Sequence, residues 1–302
     1  MTTATELLNQ AREKSSLPAE SPETDARPPK PRIVIEPSSG WRFVDPGELW
    51  RYRELLFFLA WRDIKVRYKQ TILGAAWAVL QPLATMLVFS LFLGRVAGDP
   101  GSNQPYPLFV LAGLIPWTFF ANAISSAGNS VVGNQNLVTK VYCPRLIIPM
   151  GAVGAGLVDF LIAFTLLLPA MAWYGAAPGA SVAALPIAAA GLVIAALGVG
   201  TLLSALTVAY RDFRHVLPFM TQFWMFATPA IYLQAPDAFG PKLAWLLPLN
   251  PAQGLIANFR RSLLGEPIDF YSLTVSLAVG AAFFVVGGLY FRRVERDFAD
   301  II

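Results

Sequence analysis

Four cations fall within eight positions, Arg62, Lys65, Arg67 and Lys69, and they carry the clearest chemical capacity in this chain. A guanidinium or ammonium group holds phosphate oxygens, Arg through a planar fork and Lys as a point charge. Around them Phe57, Trp61, Ile64 and Tyr68 recur at helical spacing, while Arg62, Lys65 and Lys69 repeat on another face. Rings on one side and charges on the other suit a helix lying in a bilayer's headgroup layer. As plain membrane anchors the same cations are worth about 1 kcal/mol each near an anionic surface. Other chemistry is excluded by composition. There is no GxxxxGK[ST] loop for hydrolysing ATP. One cysteine, Cys143, and one histidine, His215, leave no Ser/His/Asp or Cys/His triad, no internal disulfide and no Cys/His zinc cluster. No catalytic residue, metal site or cofactor is expected in this chain.

The elements that must position these cations are membrane spans. The chain is 55% hydrophobic and 14% charged, against about 25% charged in soluble domains. Gly74 to Leu93 is uncharged and, at about 1.5 Å per residue, crosses a hydrocarbon core of about 30 Å. Further apolar runs occupy Leu108–Ala127, Leu146–Trp173, Leu185–Tyr210, Val216–Leu233 and Ile268–Phe291. Pro116 and Trp117 predict a kink or break in the second. Residues 234–267 are rich in proline yet apolar, which predicts two outward-facing re-entrant half-helices joined at Pro248 to Pro251. The fold class expected is an all-α polytopic membrane protein, with six transmembrane helices, an N-terminal amphipathic interfacial helix at 51–73 and the re-entrant pair between spans five and six.

Residues 1–32 read as a disordered cytoplasmic tail, polar and without a signal-peptide core, and 33–50 as a short cytoplasmic segment. All of the 23 basic residues except Arg95, Lys242, Arg260 and Arg261 fall on the side that holds both termini, which makes that side cytoplasmic. Because they sit at span ends rather than on one patch, a nucleic-acid partner is not expected. Within 128–145, Asn134, Gln135, Asn136 and Thr139 favour a capped short helix.

The run ELLFFLAWRDIKVRYKQTILGAAWAVLQP, with IVIEPSSGW before it and NLVTKVYCPRLIIP at 136–149 after it, resembles the permease subunits of ABC type-2 polysaccharide exporters, which export O-antigen, teichoic-acid or capsular chains. The resemblance implies a homodimer in the bacterial inner membrane, bound to two copies of an ATPase subunit that supplies ATP and Mg chemistry. It implies a gating role for the helix at 51–73 and an ATPase-coupling segment at 128–145, with Asn136, Thr139, Lys140, Tyr142 and Arg145 as contacts. The cargo it implies is an undecaprenyl-linked polysaccharide, O-antigen above others, whose pyrophosphate would meet Arg62, Lys65, Arg67 and Lys69. A permease for a small lipid or drug, and a membrane-embedded polyprenyl-phosphate transferase, remain the alternatives.

Aromatic rings stack on sugar C–H faces without a fixed hydrogen-bond register, so Phe89, Phe92, Phe219, Phe223, Trp224 and Phe226 are candidate channel-lining residues; lipid anchoring and helix packing are the other use of such rings. Asp159 is the carboxylate deep in a span, where ionisation costs about 2.5 to 3.5 kcal/mol, so it requires protein or water and a partner. It is either a substrate or relay site or a hydrogen bond to a neighbouring helix. The run Gly151 to Val158 predicts close helix contacts.

Overall fold

The computed structural model describes residues 46–69, 76–92, 105–141, 143–228, 244–295 and 298. The tail, the segment at 33–45, Tyr142, Arg95 and the first part of the predicted re-entrant pair lie outside these residues. Among them the chain is helical, without a strand. In order come α1 (Pro46–Arg51), α2 (Arg53–Lys69), α3 (Ala76–Phe92), α4 (Tyr106–Gly133), α5 (Gln135–Lys140), α6 (Ile147–Tyr174), α7 (Leu185–Ala209), α8 (Phe213–Ala227), α9 (Pro251–Leu264) and α10 (Phe270–Val294). Single 3-10 turns at Ala180–Ala184 and Ala244–Leu249 precede α7 and α9.

Among the described residues four helices are long and apolar enough to cross a membrane: α4, α6, α7 with its preceding turn, and α10. They coincide with the predicted second, third, fourth and sixth spans. The predicted first and fifth spans are α3, 17 residues, and α8, 15 residues. Each abuts residues outside the described set. Of the kink or break predicted at Pro116, the break is absent, since α4 runs on for 28 residues with Pro116 inside it. Its Pro116 and Trp117 are buried, so surrounding helices hold the segment where the missing N–H would otherwise weaken it.

α4 is the central helix, buried along most of its length against α6 and α7. The most extensive interface joins α7 to α10. It depends on backbone approach: a Cβ on Gly198 would lie 2.3 Å from the Phe284 nitrogen, and one on Gly287 2.4 Å from the Gly198 carbonyl oxygen. Small residues let spanning helices meet this closely, where dispersion rather than hydrophobic exclusion drives association.

Between α8 and α10 most of the first predicted half-helix lies outside the described residues, which hold a 3-10 turn and, in the place of the second, the 14-residue helix α9. At about 21 Å it is too short to cross. It starts at Asn250, whose Oδ1 accepts the Ala252 N–H at 3.1 Å, with Pro251 in the first turn, and it ends at Gly265 in the left-handed region (φ 74°). Twelve of its residues are buried. Asn258 ties it to α10: its amide donates to Ser272 Oγ at 3.0 Å and its carbonyl accepts the Asp269 N–H at 2.9 Å. Arg260 is buried too, its guanidinium 3.8 Å from the centre of the Phe109 ring.

A second apolar cluster joins Leu59 of α2, Val131 of α4, Val138 of α5, Ile147 of α6, Val208 of α7 and Phe291 of α10. It gathers one end of each of α4, α6, α7 and α10, the end at which α2 and α5 also pack.

Candidate functional site

The chemistry of α2 is set by how it meets α6. Leu59 packs on Gly151 and Ala60 on Gly154, while Arg67 and Tyr68 at the far end reach Asp159. Contacts in the same order on both helices make them parallel neighbours, as the predicted close contacts of Gly151 to Val158 require. These contacts fix the neighbour of α2, not its depth in a bilayer. Asp159 is twelve residues into α6, about 18 Å along it, so the end of α2 follows a spanning helix to mid-length. Nor do rings and charges segregate: Phe57 and Trp61 are exposed and stacked at 6.3 Å, with the Lys65 ammonium 5.5 Å from the Trp61 ring.

Asp159 has its partners here. The Arg67 guanidinium donates to Oδ2 and the Tyr68 hydroxyl to Oδ1, with 37% of the Arg67 side chain and 20% of the Asp159 side chain exposed. Both oxygens of a carboxylate in a span are thereby satisfied, the condition for keeping its charge there. The pair sits in a cavity of about 390 Å³ between α2, α3, α4 and α6, within the size range of small-molecule sites. Polar groups from α3 and α4 face it: Gln81, and Thr118, Asn122 and Ser125. Trp77 and Phe119 supply aromatic wall. The residues of α4 stood in the sequence at spacings of four and three inside an apolar run, a helical stripe that went unremarked against the stronger cationic signal.

The four predicted phosphate-binding cations do not converge. Arg62 donates to Asp63 Oδ1 at 2.8 Å and to Asn134 Oδ1 at 2.8 Å, fastening α2 to the end of α4. Arg67 is engaged by Asp159. Lys65 and Lys69 are exposed. The predicted coupling segment contains α5, as expected, although Asn134 makes no side-chain cap; its amide donates to the Ser130 carbonyl at 2.7 Å instead. Asn136, Thr139 and Lys140 are exposed and Val138 is buried. Arg145 turns inward. Its N–H donates to Glu295 Oε1 at 3.0 Å, its guanidinium to the Glu295 carbonyl, and it lies 6.0 Å from the Phe298 ring. Burial pushes the Glu295 carboxyl up despite these donors, and burial likewise raises the Cys143 thiol.

The candidate channel aromatics divide. Phe92, Phe219, Phe223 and Phe226 are exposed, the last three along one face of α8. Phe89 packs against the core. Trp224 points inward: its indole N–H donates to Asn250 Oδ1 at 2.8 Å and its ring meets Phe120 edge-on at 5.2 Å. It joins α8 to the start of α9 and does not share the surface of Phe219 and Phe223.

Comparison with known proteins places this bundle. The chain is 28% identical over 250 residues to the O-antigen export system permease protein RfbA of Klebsiella pneumoniae, covering 82% of this chain and 95% of the relative. It is 28% identical over 256 residues to the protein of the same name from Myxococcus xanthus, covering 84% and 98%. A shorter stretch of 76 residues is 33% identical to the polysialic acid transport protein KpsM of Escherichia coli, 25% of this chain and 30% of the relative. Residues 54–264, from the start of α2 to the end of α9, match the family model described as ABC-2 type transporter, and the chain therefore belongs to the membrane family of ABC-2 type transporters.

Proposed function

We propose that this chain is the channel-forming permease of an ATP-driven exporter that moves an undecaprenyl-linked polysaccharide, of the O-antigen class, across the bacterial inner membrane. The observation that carries this reading is the likeness to O-antigen export permeases over more than four-fifths of the chain, and a polar cavity inside an apolar helical bundle supports it. Six spans with both termini cytoplasmic fit the helix order and the distribution of basic residues, α9 dipping in from the outer side without crossing. Two copies assemble with two ATPase subunits, which bind ATP and Mg.

The outward faces of α3 and α8, with Phe92, Phe219, Phe223 and Phe226, line the passage between the two copies, where rings let a glycan slide without a fixed register. Lys65 and Lys69, exposed on α2, meet the pyrophosphate as the lipid enters, with Arg62 beside them. The exposed side of α5, Asn136, Thr139 and Lys140, docks on the ATPase.

The test is ATPase activity of this chain reconstituted in vesicles with its ATPase, with and without an undecaprenyl-pyrophosphate-linked glycan. Stimulation by the glycan, weakened by Lys65→Ala with Lys69→Ala while complex recovery holds, is the expected result. An ATPase stimulated instead by a small lipid or drug moves the cargo to that class. A glycan chemically altered by this chain alone, with no ATPase copurifying, replaces the exporter with a transferase.

A further inference from the structure

α4 carries hydroxyl and amide side chains down one side of an otherwise apolar helix: Thr118, Asn122, Ser125, Ser126 and Asn129, continued by Asn134 just beyond its end. At about 1.5 Å per residue this row is about 24 Å long, from mid-helix to the end where Arg62 fastens α2. The cavity at Asp159 takes the row from Thr118 to Ser126. A second cavity, about 380 Å³, takes it from Ser126 to Asn134 beside Asp63 and Val66. Arg67 and Ser126 line both. The two adjoin beneath α2 at these residues and together form a polar track, with the Arg67 that holds Asp159 at their junction.

Much of the hydrogen-bonding capacity between Gln81 and Asn129 is unused, while Asn134 is engaged by Arg62 and the Ser130 carbonyl. Asn129 Oδ1 is buried without a partner, and among the described residues the side chains of Gln81, Thr118, Asn122, Ser125 and Ser126 have none either. Lipid tails cannot satisfy such groups. The charges meanwhile cancel in pairs, Arg67 with Asp159 and Arg62 with Asp63, so a pyrophosphate gains little net attraction inside. A polyhydroxylated ring both donates to and accepts from amides and hydroxyls, and Trp77, 53% exposed at the cavity wall, offers a face for its C–H side. We propose that the track binds the sugar nearest the lipid anchor, a neutral saccharide ring, while the pyrophosphate stays outside with Lys65 and Lys69. This deepens the exporter reading and rests on it. It also gives Arg67 a different task from the surface cations: paired with Asp159, it stands at the junction of the two cavities.

The experiment measures binding of two probes to the whole transporter, ATPase included, in nanodiscs by thermophoresis: a polyprenyl pyrophosphate carrying one N-acetylhexosamine, and the same lipid without sugar. The sugar-bearing probe is expected to bind about tenfold tighter. Asn122→Leu and Ser126→Val each remove most of that preference and leave the sugar-free lipid unaffected. Asn122 is exposed to the cavity, so its replacement disturbs no packing, and Asn122→Ser, which keeps a hydrogen-bonding group, restores part of the preference. Trp77→Phe retains it and Trp77→Leu loses it. Equal binding of both probes by the unaltered transporter, or variants that weaken both probes alike, overturns the track. If neither probe binds a transporter whose ATPase is active, the exporter reading fails instead.

Discussion

Asp159 is one carboxylate whose environment was half legible: its depth in a span demanded a partner, but nothing local named Arg67 and Tyr68, more than ninety residues away. Removing one member should cost more than removing both. Arg67→Ala strands a carboxylate in the span and is expected to lower stability by about 1 to 3 kcal/mol, whereas Arg67→Ala with Asp159→Asn returns most of that loss. Thermal midpoints of the four members of this cycle in detergent check it. Glu295 gives a pH prediction. Its carboxyl is raised by burial, so the folded state holds the proton more tightly than the unfolded chain. That contribution is complete below the ordinary glutamate value and is lost as pH rises through the raised one. Glu295→Gln, fixed in the neutral form and still able to accept from the Arg145 N–H, is expected to be the more stable protein at neutral pH. Its advantage shrinks on acidification into the carboxylate range, as paired melting curves at several pH values would show.

Among the elements, α7 and α10 are fixed by backbone contact at Gly198, so a side chain there has nowhere to go. Gly198→Leu is expected to force the helices apart and cost about 1 to 3 kcal/mol or more, read as a fall in the melting temperature of the assembled protein. α5 behaves oppositely, with Val138 holding it to the bundle while Lys140 stays outside. Lys140→Glu is expected to reduce the ATPase recovered with the permease while leaving its melting temperature unchanged; equal recovery would remove Lys140 from the docking surface. Cys143, buried beside the start of α6 with its thiol raised, should react slowly with a water-soluble maleimide at neutral pH. Arg145→Ala, by releasing the tie to Glu295, should speed that labelling several-fold.

For the molecule as a whole, hydropathy alone determined that the chain is a helical membrane protein, and it located the helices. Uncharged runs of about twenty residues have no other stable state, because an unpaired backbone in lipid is too costly. The motif around Trp61 to Gln70 located the family, and the polar stretch after span two located α5. Placement between helices was not legible, because periodicity fixes which residues share a face and not what that face meets. Thus Trp224 was grouped with Phe219 and Phe223 as channel lining but turns inward to Asn250, and Arg145 carried a loop charge but closes on Glu295. Pro116 signalled a kink or break, and the helix runs through it with Pro116 buried. Only the tertiary structure decided that α2 runs along α6. Gly151 and Gly154 provide a flat surface to follow and Asp159 a charge to reach, and those two features are separated from α2 by three intervening helices in the chain. The same packing turned scattered hydroxyls and amides of α4 into a polar track, since a row of side chains becomes a site only when a second helix roofs it.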